Sequence, residues 1–198
     1  MDVGQLPPWP ITPPRHGAVE LRAFVDADVS LARELATDPY LPHIGTLPAD
    51  ADPDEALAWV RRQQGRHAEG VGFSFAVIDV ASREAVGSAG LWLRELAAGR
   101  ASVGYAMAPS ARGRGLACDA LVALTGFAWS IPELFRVVAY IEPWNAASMK
   151  TAEGAGYELE GLLRSHAEID GRRRDMLSYA IIRPAASEED AEGRRPAR

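Results

Sequence analysis

Cysteine is almost absent from this chain. Cys118 stands alone, so no internal disulfide can form. It lies in an apolar helical pattern, which suits a small buried side chain, and a covalent acyl-cysteine is not expected there. Lysine is equally scarce: Lys150 is the only one, so nearly all positive charge is arginine. The histidines, His16, His43, His67 and His166, are scattered, and none has metal-ligand spacing to another His, Cys or acid. No metal site is expected. No apolar run approaches the roughly 20 residues of a membrane helix. The opening stretch MDVGQLPPWPITPP has neither a basic n-region nor a long apolar h-region, so no secretory signal is expected and the protein reads as cytoplasmic. Positive charge is not in excess either. The formal net charge of −6 argues against a general nucleic-acid binder.

What remains is an ordinary globular composition, 47% hydrophobic and 24% charged over 198 residues. That length suits one domain with a real core. Residues 1–17, rich in proline and apolar side chains, read as an arm lying on the domain. Residues 184–198, PAASEEDAEGRRPAR, read as a disordered tail. The folded domain is then 18–183.

Within it, AVELRAF (18–24) alternates like a strand. DADVSLARELA follows as a helix with Asp26 as its expected N-cap. Asp52, Pro53 and Glu55 announce a second helix by the capping-box pattern. FSFAVIDV (73–80) and AVGSAGLWL (85–93) form a hairpin, and SVGYAMA (102–108) is a third strand of this group. A helix runs from Gly115 to Trp129. FRVVAYI (135–141) is a continuous apolar run, as in a central strand. NAASMKTAE (145–153) is a short helix capped by Asn145. Asp170-Gly171 turns a closing hairpin. The order β-α-α-β-β-β-α-β-α-β-β implies a mixed α/β (α+β) sheet with helices on both faces.

The stretch SARGRGLACDA (110–120) lies between a strand end and a helix start. Helix N-termini carry unpaired N–H groups and partial positive charge, which suits phosphate oxygens. Glycine lets the backbone approach such an anion, and Arg112 and Arg114 add charge and donors. The P-loop pattern fails, because no Gly-Lys-Ser/Thr follows. The dinucleotide pattern fails at its third glycine, which is Cys118. The pattern that fits is [Q/R]-x-x-G-x-[G/A], filled by Arg112, Gly115 and Ala117.

This loop, with the preceding VGYAM strand and the following RVVAYIEPWNAASMKTAEGAGYELEG, resembles the GNAT superfamily of acyl-CoA N-acyltransferases. The similarity is to its ribosomal-protein-alanine N-acetyltransferase (RimJ/RimL-like) branch, over about 18–183. The resemblance implies a mostly antiparallel seven-stranded sheet, splayed between 102–108 and 135–141 to admit a pantetheine arm. It implies acetyl-CoA as cosubstrate, with pantetheine amides paired near Met107 and Ala108. The pyrophosphate would lie on Arg112, Gly113, Arg114, Gly115, Leu116 and Ala117. Asn145 and Ser148 match cofactor-contacting positions. Ser148 is the implied proton donor to the departing thiolate, or equally part of a helix cap.

The reaction so implied is direct attack of an amine on the thioester. Relatives often carry Glu just before the hydrophobic-Gly-Tyr motif, where this chain has Ser102. Glu142, after the next strand, and Glu168, beside His166 on the final hairpin, are the substitute bases. Each reads equally as a solvated surface residue, and Tyr105 reads as core. Trp9, Trp92 and Trp144 are candidates for a pocket lining or for ordinary packing, and YLPHIGTLPADADP (40–53) is a candidate wall. The acceptor is an amine, either a protein N-terminus or a small molecule. A homodimer is expected by analogy. Succinyl-CoA as donor and a non-catalytic acyl-CoA sensor remain alternatives.

Overall fold

In a computed structural model of the chain, residues 6–185 are described. The expected tail falls outside them beyond Ala185, as do the first five residues of the arm.

Strands appear where the alternation placed them. A two-residue strand β1 (Arg15–His16) pairs with β2 (Val19–Ala23), which pairs with β3 (Gly72–Asp79). β3 forms a hairpin with β4 (Ala85–Trp92), and β4 pairs with β5 (Arg100–Met107). β6 (Arg136–Ile141) runs parallel to β5 and antiparallel to β8 (Arg172–Ile182), while β7 (Glu158–Ile169) closes the edge against β8. The sheet therefore has eight strands in the order β1-β2-β3-β4-β5-β6-β8-β7, one more than expected. The extra strand comes from the arm. The Leu21 N–H donates to the Pro14 carbonyl at 2.8 Å, and the Ala18 N–H donates to Asp119 at 2.8 Å. These bonds draw the end of the arm onto the sheet.

The helices are α1 (Val29–Leu35), α2 (Leu41–Ile44), α3 (Pro53–Gly65), α4 (Leu116–Ala128) and α5 (Ala146–Gly154). α3 starts as its sequence announces. Asp52 accepts from the N–H groups of Asp54 and Glu55 at 2.9 Å, and Glu55 returns a bond to the Asp52 N–H. The expected cap at Asp26 shifts by two residues. Residues 26–28 form a 3-10 turn, and Asp28 precedes α1. Its carboxylate is taken by both guanidinium nitrogens of Arg22 and by the Val25 N–H.

Every residue of β3 is buried, so both faces of the sheet are covered there. Ser74 donates to Gln63 of α3 at 3.0 Å on one face. On the other, Phe127 of α4 meets Phe73 and Phe75 edge-on at 4.8 and 5.5 Å. Alternation along β3 puts these contacts on opposite sides. Trp9 of the arm joins the α4 side, 4.8 Å from Phe75.

β5 and β6 part midway. Their parallel pairing runs only from Arg100–Arg136 to Val103–Ala139. Beyond it, Gly104 to Met107 pair with β4 alone, and Tyr140 and Ile141 pair with β8 alone. The sheet opens into a V at its centre.

Candidate functional site

The glycine-arginine stretch stands at the mouth of this V. After β5 a 3-10 turn (Pro109–Ala111) leads to Arg112 in extended conformation. Gly113 and Gly115 then adopt φ of +76° and +79°, and Gly115 is the N-cap of α4 with no side chain capping it. An added Cβ at either glycine would meet nothing within 4 Å. The glycines are thus needed for the left-handed backbone, and the space above them is open. Among the described residues, none of the N–H groups from Gly113 to Ala117 has a hydrogen-bond partner, whereas Cys118 and Asp119 already donate to the Gly115 carbonyl. A row of free N–H groups at the positive end of a helix can accept the oxygens of an anion.

The two arginines each have an acid partner. Arg112 reaches Asp38 Oδ2 at 2.5 Å and the Met107 carbonyl at 3.1 Å. Arg114 reaches Asp79 Oδ2 at 2.5 Å. Both guanidinium groups tie the loop to a neighbouring carboxylate, and each stays about half exposed. Arg114 and the Ala81 N–H hold the Asp79 carboxyl below the usual carboxylate range, against the opposing effect of burial. Burial pushes the Asp38 carboxyl up, and the bonds from Arg112, Leu41 and Tyr40 together outweigh it.

At Met107 and Ala108 the main-chain groups divide between the ladder and the V. The Ala108 N–H donates to the Val86 carbonyl at 2.9 Å, inside the β4 ladder. The antiparallel alternation then turns the main-chain groups of Tyr105 and Met107 toward the V. With its carbonyl on Arg112, Met107 presents its N–H there.

α5 forms the next wall. Asn145 caps it by accepting from the Ser148 N–H at 3.0 Å. The cap uses the main chain of Ser148 and leaves its hydroxyl out. Tyr105, packed against the core, donates its hydroxyl to the Ser148 carbonyl at 3.1 Å and so ties β5 to α5. Cys118 lies behind, its sulfur 3.2 Å from where a Cβ on Gly154 would sit. Burial, with Asp119 beside it, pushes the thiol up, so it stays protonated.

Glu142 directly follows β6 and is only 5% exposed, which removes its surface-residue reading. The Tyr40 hydroxyl donates to its Oε2 at 2.5 Å, and Arg174 Nε lies 3.8 Å from its Oε1. Burial and the neighbouring carboxylate push the Tyr40 hydroxyl far up, so it remains a donor. The Glu142 carbonyl accepts from the Asn145 N–H at 2.9 Å, a turn that joins the carboxylate to α5. Glu168 is not brought to this cluster. Its side chain is 64% exposed, 3.9 Å from Arg173, and it shares a hairpin face with Arg173 rather than with Arg174. His166 is exposed, with its ring 4.6 Å from that of Tyr140.

Of the tryptophans, Trp144 alone adjoins the cluster. It is 60% exposed, and its ring meets Tyr40 at 90° and 4.8 Å. Trp9 is in the aromatic core, and Trp92 lies under Arg66. The 40–53 wall contains α2, whose His43 lies 3.6 Å from Asp170 at the hairpin tip. Asp38, Asp79 and Arg174 had no motif around them to single them out, and Tyr40 only opened the 40–53 wall. Each gains its place from a partner far away in sequence.

The acetyltransferase (GNAT) domain model matches residues 18–158. An uncharacterized N-acetyltransferase p20 of Bacillus licheniformis is 26% identical over 163 residues, 82% of this chain and 92% of that one. The [ribosomal protein uS5]-alanine N-acetyltransferase of Escherichia coli is 28% identical over 119 residues, 60% of this chain and 61% of that one. Among solved structures, Mycobacterium smegmatis RimJ in complex with CoA-disulfide superposes with a TM-score of 0.72 at 24% identity, covering 92% of this chain and 93% of that one, which shows the shared fold. This match, over a sheet that opens into a V, shows that the chain belongs to the GNAT family of acetyl-CoA-dependent N-acetyltransferases.

Proposed function

We propose that the chain acetylates a primary amine, a protein N-terminus or a small molecule, by direct attack of the amine on acetyl-CoA, with Glu142 as the base. The observation that carries this is a buried carboxylate, hydrogen-bonded by Tyr40, beside the V that a pantetheine arm fits. It supplies the base missing at Ser102.

In this reading the N–H groups of Gly113 to Ala117 hold the diphosphate. Arg112 and Arg114 keep the loop in shape. The main-chain groups of Tyr105 and Met107 orient the pantetheine amides like an added strand. Glu142 takes the proton that the attacking ammonium must lose. The amine nitrogen then bonds to the thioester carbon, and the Met107 N–H holds the oxyanion. The carbon–sulfur bond breaks, Ser148 gives the thiolate its proton, and the nitrogen's second surplus proton passes to Ser148, directly or through water, to restore its hydroxyl. The products are an amide and free CoA. Glu168, in solvent on the hairpin, has no part in these steps.

The acceptor enters between Tyr40, Trp144 and the β7–β8 hairpin. The RimJ-like relatives support a protein N-terminus as one acceptor class. A cytoplasmic setting belongs to the same reading, and no helix among the described residues is long and apolar enough to cross a membrane. A homodimer is assigned to the open edge at β7, where Leu159 and Leu162 are exposed, and light scattering tests it.

The test of the reaction is turnover of acetyl-CoA and succinyl-CoA with a panel of peptides and small amines, for the protein and for Glu142→Gln. Amide formation that falls roughly 100-fold or more in Glu142→Gln is the expected result. CoA binding without turnover of any amine would leave a binding domain instead.

A further inference from the structure

Asp38 has a place that the reaction just described leaves unused. It lies between α1 and α2, outside both the phosphate loop and β6, and is buried. Its two oxygens are divided. Oδ1 accepts from the N–H groups of Tyr40 and Leu41 at 2.8 and 2.9 Å. Oδ2 accepts from Arg112 at 2.5 Å. Tyr40 carries its hydroxyl on to Glu142 at 2.5 Å and its ring to Trp144. A single carboxylate therefore links the loop to the buried Glu142, through Arg112, Asp38 and Tyr40. The chain separations are 74 residues from Asp38 to Arg112 and 102 from Tyr40 to Glu142, so neither bond is needed to form a local turn.

The position of Arg112 gives this link a direction. It opens the segment whose next five N–H groups are free. An anion held on those groups comes within reach of the guanidinium that Asp38 now holds. Two anions then compete for one cation, in a place where burial of Asp38 limits screening. Whatever Arg112 yields to the ligand, Asp38 loses, and Asp38 Oδ1 holds the turn that carries Tyr40.

We propose that Asp38 is a positioning residue that couples occupancy of the phosphate loop to the placement of Tyr40 on Glu142. The inference rests on the reading of the loop as a diphosphate site. It makes the placement of the base respond to occupancy of the acyl-donor site.

Trp144 supplies the readout, since its ring lies against Tyr40 and no other tryptophan does. The experiment is a titration of the full chain with CoA, following tryptophan emission to saturation, with affinity measured separately by calorimetry. Trp144→Phe identifies the signal. Asp38→Asn keeps an oxygen for the Tyr40 and Leu41 N–H groups while turning an amide toward Arg112. Arg112→Gln cuts the same link from the loop side, so a failure of Asp38→Asn to fold does not decide the matter. At saturating CoA, a change in emission is expected in the parent protein and not in Trp144→Phe. It should fall to roughly half or less in Asp38→Asn and Arg112→Gln. With an amine that turns over, Asp38→Asn should lower kcat roughly fivefold or more and shift the KM for acetyl-CoA much less. A full parental signal in both link variants overturns the coupling. So does CoA binding by calorimetry with no Trp144 signal. An absence of CoA binding in the parent protein overturns the loop reading and this inference with it.

Discussion

The Arg114 guanidinium meets Asp79 Oδ2 at 2.5 Å, joining the second arginine of the glycine loop to the end of β3, 35 residues earlier. Asp79 is 2% exposed and also accepts from the Ala81 N–H at 3.0 Å. Its carboxyl is held below the usual range, first by Arg114 and then by that N–H. Such a group contributes stability that is present above its unfolded pKa, about 3.9, and is lost as pH falls through the folded value. Asp79→Asn should therefore lower Tm at pH 7, and the gap from the parent protein should close below about pH 4. Melting curves across that range check it, and a gap that widens in acid would contradict the assignment.

Gly115 separates strain from occupancy. Gly115→Val forces a β-branched residue into a left-handed backbone, at a cost of roughly 1–3 kcal/mol and a Tm lowered by several degrees. Gly115→Asn tolerates that backbone and its Cβ meets no neighbour, so its Tm should stay near the parent value. Both put a side chain beside the free N–H groups of the loop. Both should weaken CoA at least about tenfold, a loss of about 1.4 kcal/mol. A CoA-dependent thermal shift reads the two effects on one sample.

Tyr40→Phe keeps the ring on Trp144 and removes the donor to Glu142. A hydrogen bond to a charged group contributes about 1.5–3 kcal/mol. If Glu142 is the base, that loss appears as a kcat lowered roughly 10- to 100-fold with the KM for acetyl-CoA nearly unchanged. Steady-state kinetics at saturating amine distinguish this from a general loss of binding.

Ser148→Ala should leave stability within about 0.5 kcal/mol, because the cap takes the main-chain N–H of that residue and not its hydroxyl. A lower kcat at unchanged Tm would support the proton-donor role. An unchanged kcat would remove it.

The arm makes a separate prediction. Trp9 lies 5.5 and 4.8 Å from Phe73 and Phe75, and His67 closes the group by bonding the Pro7 carbonyl at 2.8 Å. Trp9→Ala should cost about 2–4 kcal/mol, since the side chain is only partly buried. CoA affinity, measured in the folded variant, should not change.

Much of the fold could be read from short stretches. Asp52-Pro53-Asp54-Glu55 carries its own capping box, and Asp170-Gly171 its own turn. Gly113 and Gly115 mark positive φ just ahead of a helix. Each of these signals is complete within a few residues, because caps, turns and glycine backbone are local physics. The eighth strand was missed because two residues of arm carry no periodicity of their own. Their pairing depends on β2 and on a carboxylate 101 residues away, at the start of α4.

The sequence by itself determined the left-handed glycine turn ahead of α4, the order of the seven longer strands and the cap on α5, since backbone conformation and hydrogen bonding between near neighbours answer to local residue types. Only the tertiary structure decided what the arginines, Glu142 and Tyr40 do. Arg112 and Arg114 offer charge to a phosphate by their place in the loop, and folding gives each an acid partner as well, Asp38 and Asp79. Glu142 read equally as a surface residue and proved to be buried against Tyr40. A charged side chain takes the partner that folding brings within a few ångströms, and Coulomb attraction has no memory of distance along the chain.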